Sequence, residues 1–193
     1  MKPPRSSSLI ALALVSALCP TPGRGHESPI DHVERELRLF AEDGKAWLVY
    51  RLLPTERATL MELKTMDADG DGTISDRERA GFFVGKAQAI AKKITLNIDG
   101  RPLPLEPGGS VRCDPQLGQT FLFSGPLPAL QPGRHPGRLV DGHSRDYPGG
   151  FVWKDPGREG SEAIRFEPVT PATQAGPHDH PPWLELQFNV VVR

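Results

Sequence analysis

The sequence is short of cysteine, methionine, aromatic residues and excess positive charge, and each shortage removes a class of protein. Two cysteines occur in 193 residues. Cys19 falls at the end of an N-terminal apolar run, which leaves Cys113 as the one thiol of the remaining chain. A single thiol makes no internal disulfide, so a disulfide-stapled scaffold is excluded. Cys113 is expected as a small, partly buried strand or loop residue, because no histidine and orienting group mark it as a catalytic thiol. Three methionines, counting the initiator, are too few for a Met-rich adaptable groove. Lysine and arginine (23) do not outnumber aspartate and glutamate (24), and no basic stripe occurs, which argues against a nucleic-acid partner. No motif pairs a nucleophile with a base, and the expectation is a protein that is not an enzyme. No internal repeat is visible.

The longest apolar run, residues 9–18, is too short to span a bilayer as a helix, which takes roughly 20 residues. Lys2 and Arg5 precede it and Cys-Pro-Thr-Pro-Gly follows it. A positive segment, a short apolar segment and helix breakers form a secretory signal peptide. Residues 1–25 are therefore read as a leader, and the chain as exported, periplasmic or extracellular, with no transmembrane helix in its mature form. Lipid attachment at Cys19 is the less favoured variant, because Leu18 stands where a small residue is wanted.

Abundant in the sequence are proline (21) and glycine (20), the residues of turns. Runs at 33–40 and 46–53 flank Glu42-Asp43-Gly44-Lys45 and predict an opening β-hairpin. Thr55 is a candidate N-cap after Pro54. Leu60, Leu63 and Met66 recur at helical spacing, with Leu63 and Met66 expected to pack inward. Phe83, Ala87, Ile90 and Ile94 mark a second amphipathic helix. From Thr95 the period becomes two. Leu96 and Ile98, Phe121 and Phe123, and the segments GRLV, GFVW and AIRFE are short strand candidates. The clearest strand spans residues 183–192, where Leu184, Leu186, Phe188, Val190 and Val192 share one face. Residues 168–182 read as a loop. The expectation is an α+β protein: one β-sandwich-like domain over 26–193, with about eight short strands and a helix–loop–helix inserted at about 55–94.

Between the two predicted helices lies MDADGDGTISDRERAGFF, residues 66–83. Asp67, Asp69 and Asp71 alternate, Gly72 occupies the place of a sharp turn, and Glu78 closes the run. Carboxylates this close repel one another unless a cation sits among them. Calcium is a hard ion that takes roughly 6–8 oxygen ligands, whereas magnesium demands a tighter octahedron. The spacing assigns Asp67, Asp69, Asp71, Ser75 and Glu78 as side-chain ligands and Thr73 as a backbone carbonyl ligand, with Ile74 pinning the loop to a neighbour.

This stretch resembles the EF-hand family over residues 55–94, and the resemblance implies a Ca²⁺ site on those six residues. The dockerin-type calcium loop is a looser relative, but dockerins carry two loops. The order of elements resembles exported EF-hand proteins of uncharacterised function. It is also similar to the extracytoplasmic segment of hydrogenase/urease-accessory-like membrane proteins; the membrane helices of that group are not part of this sequence, and metal transport is not inferred. EF-hands usually pair. Neither DGHSRDYPGG from Asp141 nor DPGREGSEAIRF from Asp155 makes a second loop: the first places His143 and Arg145 at ligand positions, and the second has Phe166 where glutamate belongs. The expected partner of the loop is therefore another chain or the β domain itself.

Two other binding readings stay open. One is a carbohydrate- or wall-binding module using Trp153, Trp183 or Tyr147 as a platform, although both tryptophans are expected in the core. The other is a metal-handling accessory domain using His26, His32, His178, Asp179 and His180. His135 and His143 are expected as surface or turn residues, and Asp141, Asp146 and Tyr147 as a loop-end cluster. The leading expectation is a calcium-binding exported module, structural or presenting a face to a protein partner.

Overall fold

The computed structural model describes residues 33–109, 112–113, 118–146, 149–155, 160–169, 173–174 and 184–193. The expected leader with Cys19, His26, His32, Tyr147, the His178–His180 segment and Trp183 lie outside the described residues.

Strands β1 (Val33–Glu42) and β2 (Lys45–Pro54) form the predicted hairpin, antiparallel from Val33 opposite Pro54 to Glu42 opposite Lys45. Its turn is Asp43-Gly44, with φ of 50° and 71°. Two successive left-handed residues match the right-handed twist of the flanking strands. Thr55 then caps α1 (Glu56–Met66), its side-chain oxygen accepting from the Ala58 amide. After the acidic loop, α2 (Asp76–Ala91) is capped by Ser75.

Two sequence expectations change here. Leu63 does not pack inward: it is exposed, as is Leu60, and α1 buries only Ala58 and Met66. The helix touches α2 and β2 at the margin of the molecule, so most of its apolar spacing has no core above it. The second helix ends at Ala91, and Ile94 opens β3 (Ile94–Ile98). Ile94 stands four residues after Ile90, so it fits the helical period even though it is buried from a strand.

The remaining strands are β4 (Arg101–Leu103), β5 (Glu106–Pro107), β6 (Arg112–Cys113), β7 (Gln119–Pro126), β8 (Gly133–Asp141), β9 (Phe151–Trp153), β10 (Ile164–Pro168), β11 (Thr173–Gln174) and β12 (Leu184–Val192). A short 3₁₀ turn, Gly142–Arg145, follows β8. A seven-stranded sheet has the order β11-β9-β1-β2-β7-β5, with β6 also on β7. A five-stranded sheet has the order β10-β12-β8-β3-β4. Every pairing among the described residues is antiparallel except β1 with β9. Over the described residues the protein is thus mostly sheet with two α-helices. Among the described residues no helix is long and apolar enough to cross a membrane. Cys113, expected to be partly buried, is exposed on the two-residue β6.

One apolar core draws on both sheets and on α2. It includes Leu37 and Leu39 of β1, Leu48 and Leu52 of β2, Phe121 and Phe123 of β7, Leu96 of β3, and Leu186, Phe188 and Val190 of β12, with Phe83, Ala87 and Ile90 from α2. Burying one such side chain is worth about 1.5–3 kcal/mol. Gly137 of β8 lies opposite Phe188, and a Cβ built there would fall 2.0 Å from the ring. The aromatic ring occupies the space that any other residue at 137 would need.

The two-residue period also carries polar groups inward. On β1 the buried face runs Val33, Arg35, Leu37, Leu39, Ala41, so an arginine takes a core position. Both Arg35 and Asp141 have side chains 0% exposed, and Arg35 Nε lies 3.1 Å from Asp141 Oδ2. Arg35 Nε also donates to the Tyr50 hydroxyl (3.0 Å) and Nη1 to the Val33 carbonyl (2.7 Å). Tyr50 OH donates to Asp141 Oδ2 (2.7 Å), and the second carboxylate oxygen accepts from the His143 amide (2.8 Å). Ser144 Oγ donates to the Asp141 carbonyl and accepts from the Leu184 amide. Burial, reinforced by the Asp141 charge, pushes the Tyr50 hydroxyl well above the usual tyrosine range. His143 is buried, not a surface residue. Burial first, then the Arg35, Lys86 and Lys93 cations, push its imidazole down to about 3.

Arg35→Met leaves the Asp141 carboxylate buried without its cation, and urea unfolding should show a loss of about 3–5 kcal/mol. The double replacement Arg35→Met with Asp141→Leu should recover much of that loss, because no uncompensated charge remains. His143 sets a pH dependence of defined sign. The unfolded chain takes up a proton near pH 6.5 that the folded chain refuses until about 3, so stability falls as pH falls through that window. His143→Gln should flatten the slope in urea midpoints measured between pH 6.5 and 4.

Candidate metal centre

The acidic loop runs from the C-cap of α1, Asp67, to the first turn of α2. Its backbone is shaped by its own carboxylates. Asp67 Oδ1 accepts from the Gly70 amide (2.9 Å) and Oδ2 from the Gly72 amide (3.0 Å). Asp69 Oδ1 accepts from the Asp71 amide (3.1 Å), and Asp71 Oδ1 from the Thr73 amide (2.7 Å). Each aspartate thus folds the chain back towards itself, which is how short acidic side chains favour turns over helix. Gly70 and Gly72 have φ of 75° and 84°. Nothing lies within 4 Å of a Cβ at either, so the requirement for glycine there is conformational, not steric.

This folding gathers Asp67, Asp69 and Asp71 so that one carboxylate oxygen from each lies within 4.8 Å of the other two. Asp69 and Asp71 are exposed and Asp67 is half-buried. Among the described residues no lysine or arginine ion-pairs with any of the three. The donor set is hard oxygen throughout, which fits calcium or another hard cation and offers no soft ligand.

The other expected ligands are placed differently. Glu78 lies outside the 4.8 Å set. Its Oε1 accepts from the Ala68 amide (2.8 Å), and its Oε2 from the Ser75 amide (2.9 Å) and the Ser75 hydroxyl (2.7 Å). Ser75 Oγ in turn accepts from the Glu78 amide (3.3 Å), completing a capping box at the start of α2. The structure therefore brings the three aspartates together and pairs Ser75 with Glu78. Thr73 enters through its amide on Asp71. Ile74 is half-buried and packs on the apolar core of its own chain.

Glu78 carries the clearest electrostatic signature of the loop. Its hydrogen bonds to the Ser75 hydroxyl and amide, then to the Ala68 amide, hold its carboxyl down at about 2.

The other candidates resolve as follows. Trp153 is buried against Phe188. Trp47, which the sequence did not single out, is half-buried and stacks on Phe40 at 6.3 Å. Asp141 joins the buried cluster, while Asp146 pairs with Lys93. These two aspartates therefore do not form the expected loop-end cluster. His135 bonds the Gln131 carbonyl at 2.7 Å and Asp99 Oδ2 at 2.7 Å, and these bonds, in that order, raise its pKa above the usual histidine value. The sequence reading missed the Arg35–Tyr50–Asp141–His143 cluster. The available signal was Arg35 falling on the apolar face of β1.

No family model, curated protein or solved structure matches the chain.

An NMR titration of the metal-free chain should place the Glu78 carboxyl midpoint near 2, against 4.5 for a free glutamate. Because the folded value is depressed, the stability it lends is complete above about 4.5 and lost as pH falls towards 2. Ser75→Ala removes the largest cause and should move the midpoint up towards 4.5.

Proposed function

We propose that this chain is an exported calcium-binding module, not an enzyme, in which one EF-hand loop is inserted into a β-sandwich-like domain. The observation that carries the reading is the gathering of Asp67, Asp69 and Asp71 within 4.8 Å with no cation of the described protein beside them. Three like charges at that distance oppose folding of the loop, and a divalent ion turns the opposition into attraction. Asp67, Asp69, Asp71 and Glu78 would hold Ca²⁺ with carboxylates, Ser75 with its hydroxyl and Thr73 with its carbonyl. Calcium supplies charge neutralisation and a fixed junction between α1 and α2.

Several features favour a clamp over a sensor. Ile74 packs on the core of its own chain, so the loop has a seat without a second loop. Both helices are capped at their N-termini by the protein alone. Lone extracellular-type sites bind with Kd on the order of 10⁻⁴–10⁻³ M, adequate where calcium is plentiful. On this reading the ion rigidifies the helix pair, which presents a face to a protein partner in the exported compartment.

Isothermal titration of the chain in chelator-treated buffer tests the reading. Calcium should bind at one site with Kd below a few millimolar and raise the melting temperature, and magnesium should bind more weakly. Absence of heat and of any melting shift up to about 10 mM calcium would reject it. Glu78→Gln, which replaces the carboxylate by a neutral amide, should weaken calcium binding at least about tenfold while preserving the β-sheet circular dichroism.

A further inference from the structure

Away from the loop, a second polar cluster ties the helix pair to the seven-stranded sheet. Lys86 of α2 donates from Nζ to Glu62 Oε1 of α1 and to Gln119 Oε1 of β7, the latter at 2.6 Å. Gln119 Nε2 donates to the other oxygen of Glu62 at 2.6 Å. Three side chains from three elements thus close a ring of hydrogen bonds. The ring is largely out of solvent: the Lys86 and Glu62 side chains are 13% and 16% exposed, and Gln119 is buried. The Lys86 ammonium also sits 5.8 Å from the centre of the Phe82 ring and 6.0 Å from that of Phe121. Burial pulls the Lys86 pKa down, and the Glu62 charge opposes the pull.

The rest of α1 has little to hold it. It buries only Ala58 and Met66, and Leu60, Met61 and Leu63 face solvent. Among the described residues, Glu62–Lys86 is the single ion pair between α1 and α2. The loop, however, depends on both helices at once. Asp67 is the C-cap of α1, and Glu78 stands in the first turn of α2. The angle and separation of the helices therefore set how far Glu78, which lies outside the aspartate set, stands from Asp67.

We propose that Lys86 is the positioning residue of the metal loop: by bridging Glu62 and Gln119 it holds α1 and α2 at the separation that brings Asp67 and Glu78 to a common ion, and it seats that pair on β7. The inference rests on the calcium reading of the loop. It makes ion binding and helix docking a single coupled equilibrium, so occupancy of the loop is felt at the sheet and loss of the ring is felt at the loop. Lys86 contributes position; the carboxylates bind.

The test compares wild type, Lys86→Met, Lys86→Arg and the double variant Glu62→Gln with Lys86→Met, using calcium titration and terbium luminescence on the full chain. Calcium affinity should fall on the order of tenfold in Lys86→Met. The calcium-induced rise in melting temperature should shrink with it. Lys86→Arg, which retains the charge and donors, should restore most of the affinity. The double variant removes the stranded Glu62 charge, so it recovers stability yet keeps the weakened affinity. It carries the comparison if the single variant does not fold. Wild-type calcium affinity in either Lys86→Met background, whatever the melting temperature, overturns the inference and leaves the calcium reading standing. No calcium or terbium binding by the wild type overturns the calcium reading, and the inference falls with it.

Discussion

A guanidinium and a carboxylate, both out of reach of water, stand where the two sheets meet. Removing two such charges from solvent costs several kcal/mol each, and their attraction offsets that only when geometry and hydrogen bonding are complete. Here they are. Asp141 receives Arg35 and Tyr50 on one oxygen and the His143 amide on the other, while Arg35 spends a second nitrogen on the Val33 carbonyl. Arg35 and Tyr50 come from neighbouring strands of the seven-stranded sheet and Asp141 from the end of β8 in the other. Apolar contacts alone would let the sheets slide; a directional pair does not. The placement of β1 and β2 against β8 follows from it, and burial, reinforced by the Arg35 charge, keeps His143 from becoming a second cation there.

The molecule meets the same chemical problem twice and solves it in opposite ways. At Asp141 a single carboxylate is buried and the protein supplies the cation. At Asp67, Asp69 and Asp71 three carboxylates remain largely in solvent and the described protein supplies none. Solvent keeps the second arrangement tolerable without an ion, because repulsion between charges in high dielectric is small. That same exposure leaves the oxygens accessible. Depth in the fold therefore separates a carboxylate that serves structure from carboxylates available to a ligand.

Much of this was legible in the sequence, and the failures share a cause. The opening hairpin was readable because Asp43-Gly44 sits between two alternating runs, and β12 because five apolar residues alternate without interruption. The alternation of Asp67, Asp69 and Asp71 announced the acidic loop. What sequence period cannot report is whether anything lies above an apolar face. Leu60 and Leu63 have helical spacing, but α1 lies at the edge and they face water. Ile94 has helical spacing too, and is buried from a strand. Burial of polar residues is obscured for the same reason: His143 reads as a turn residue, and Arg35, though it falls on the apolar face of β1, gives no sign of its partner 106 positions away.

Glu78 shows how local and global demands meet on one side chain. As the third residue of α2 it completes a capping box that stabilises the helix start with no ion present. Of the carboxylates expected as ligands, it is the one that belongs to α2 and not to the loop's own turns. A cation held there would be coupled to a whole helix, and that helix reaches the core through Phe83, Ala87 and Ile90. The ring at Lys86 lies on the same helix two turns further on, joining it to α1 and to β7. Helix α2 is thus the rigid link between the acidic loop and the sheets. An event at the loop can reach the core through this element, as it can through Ile74 of the loop itself.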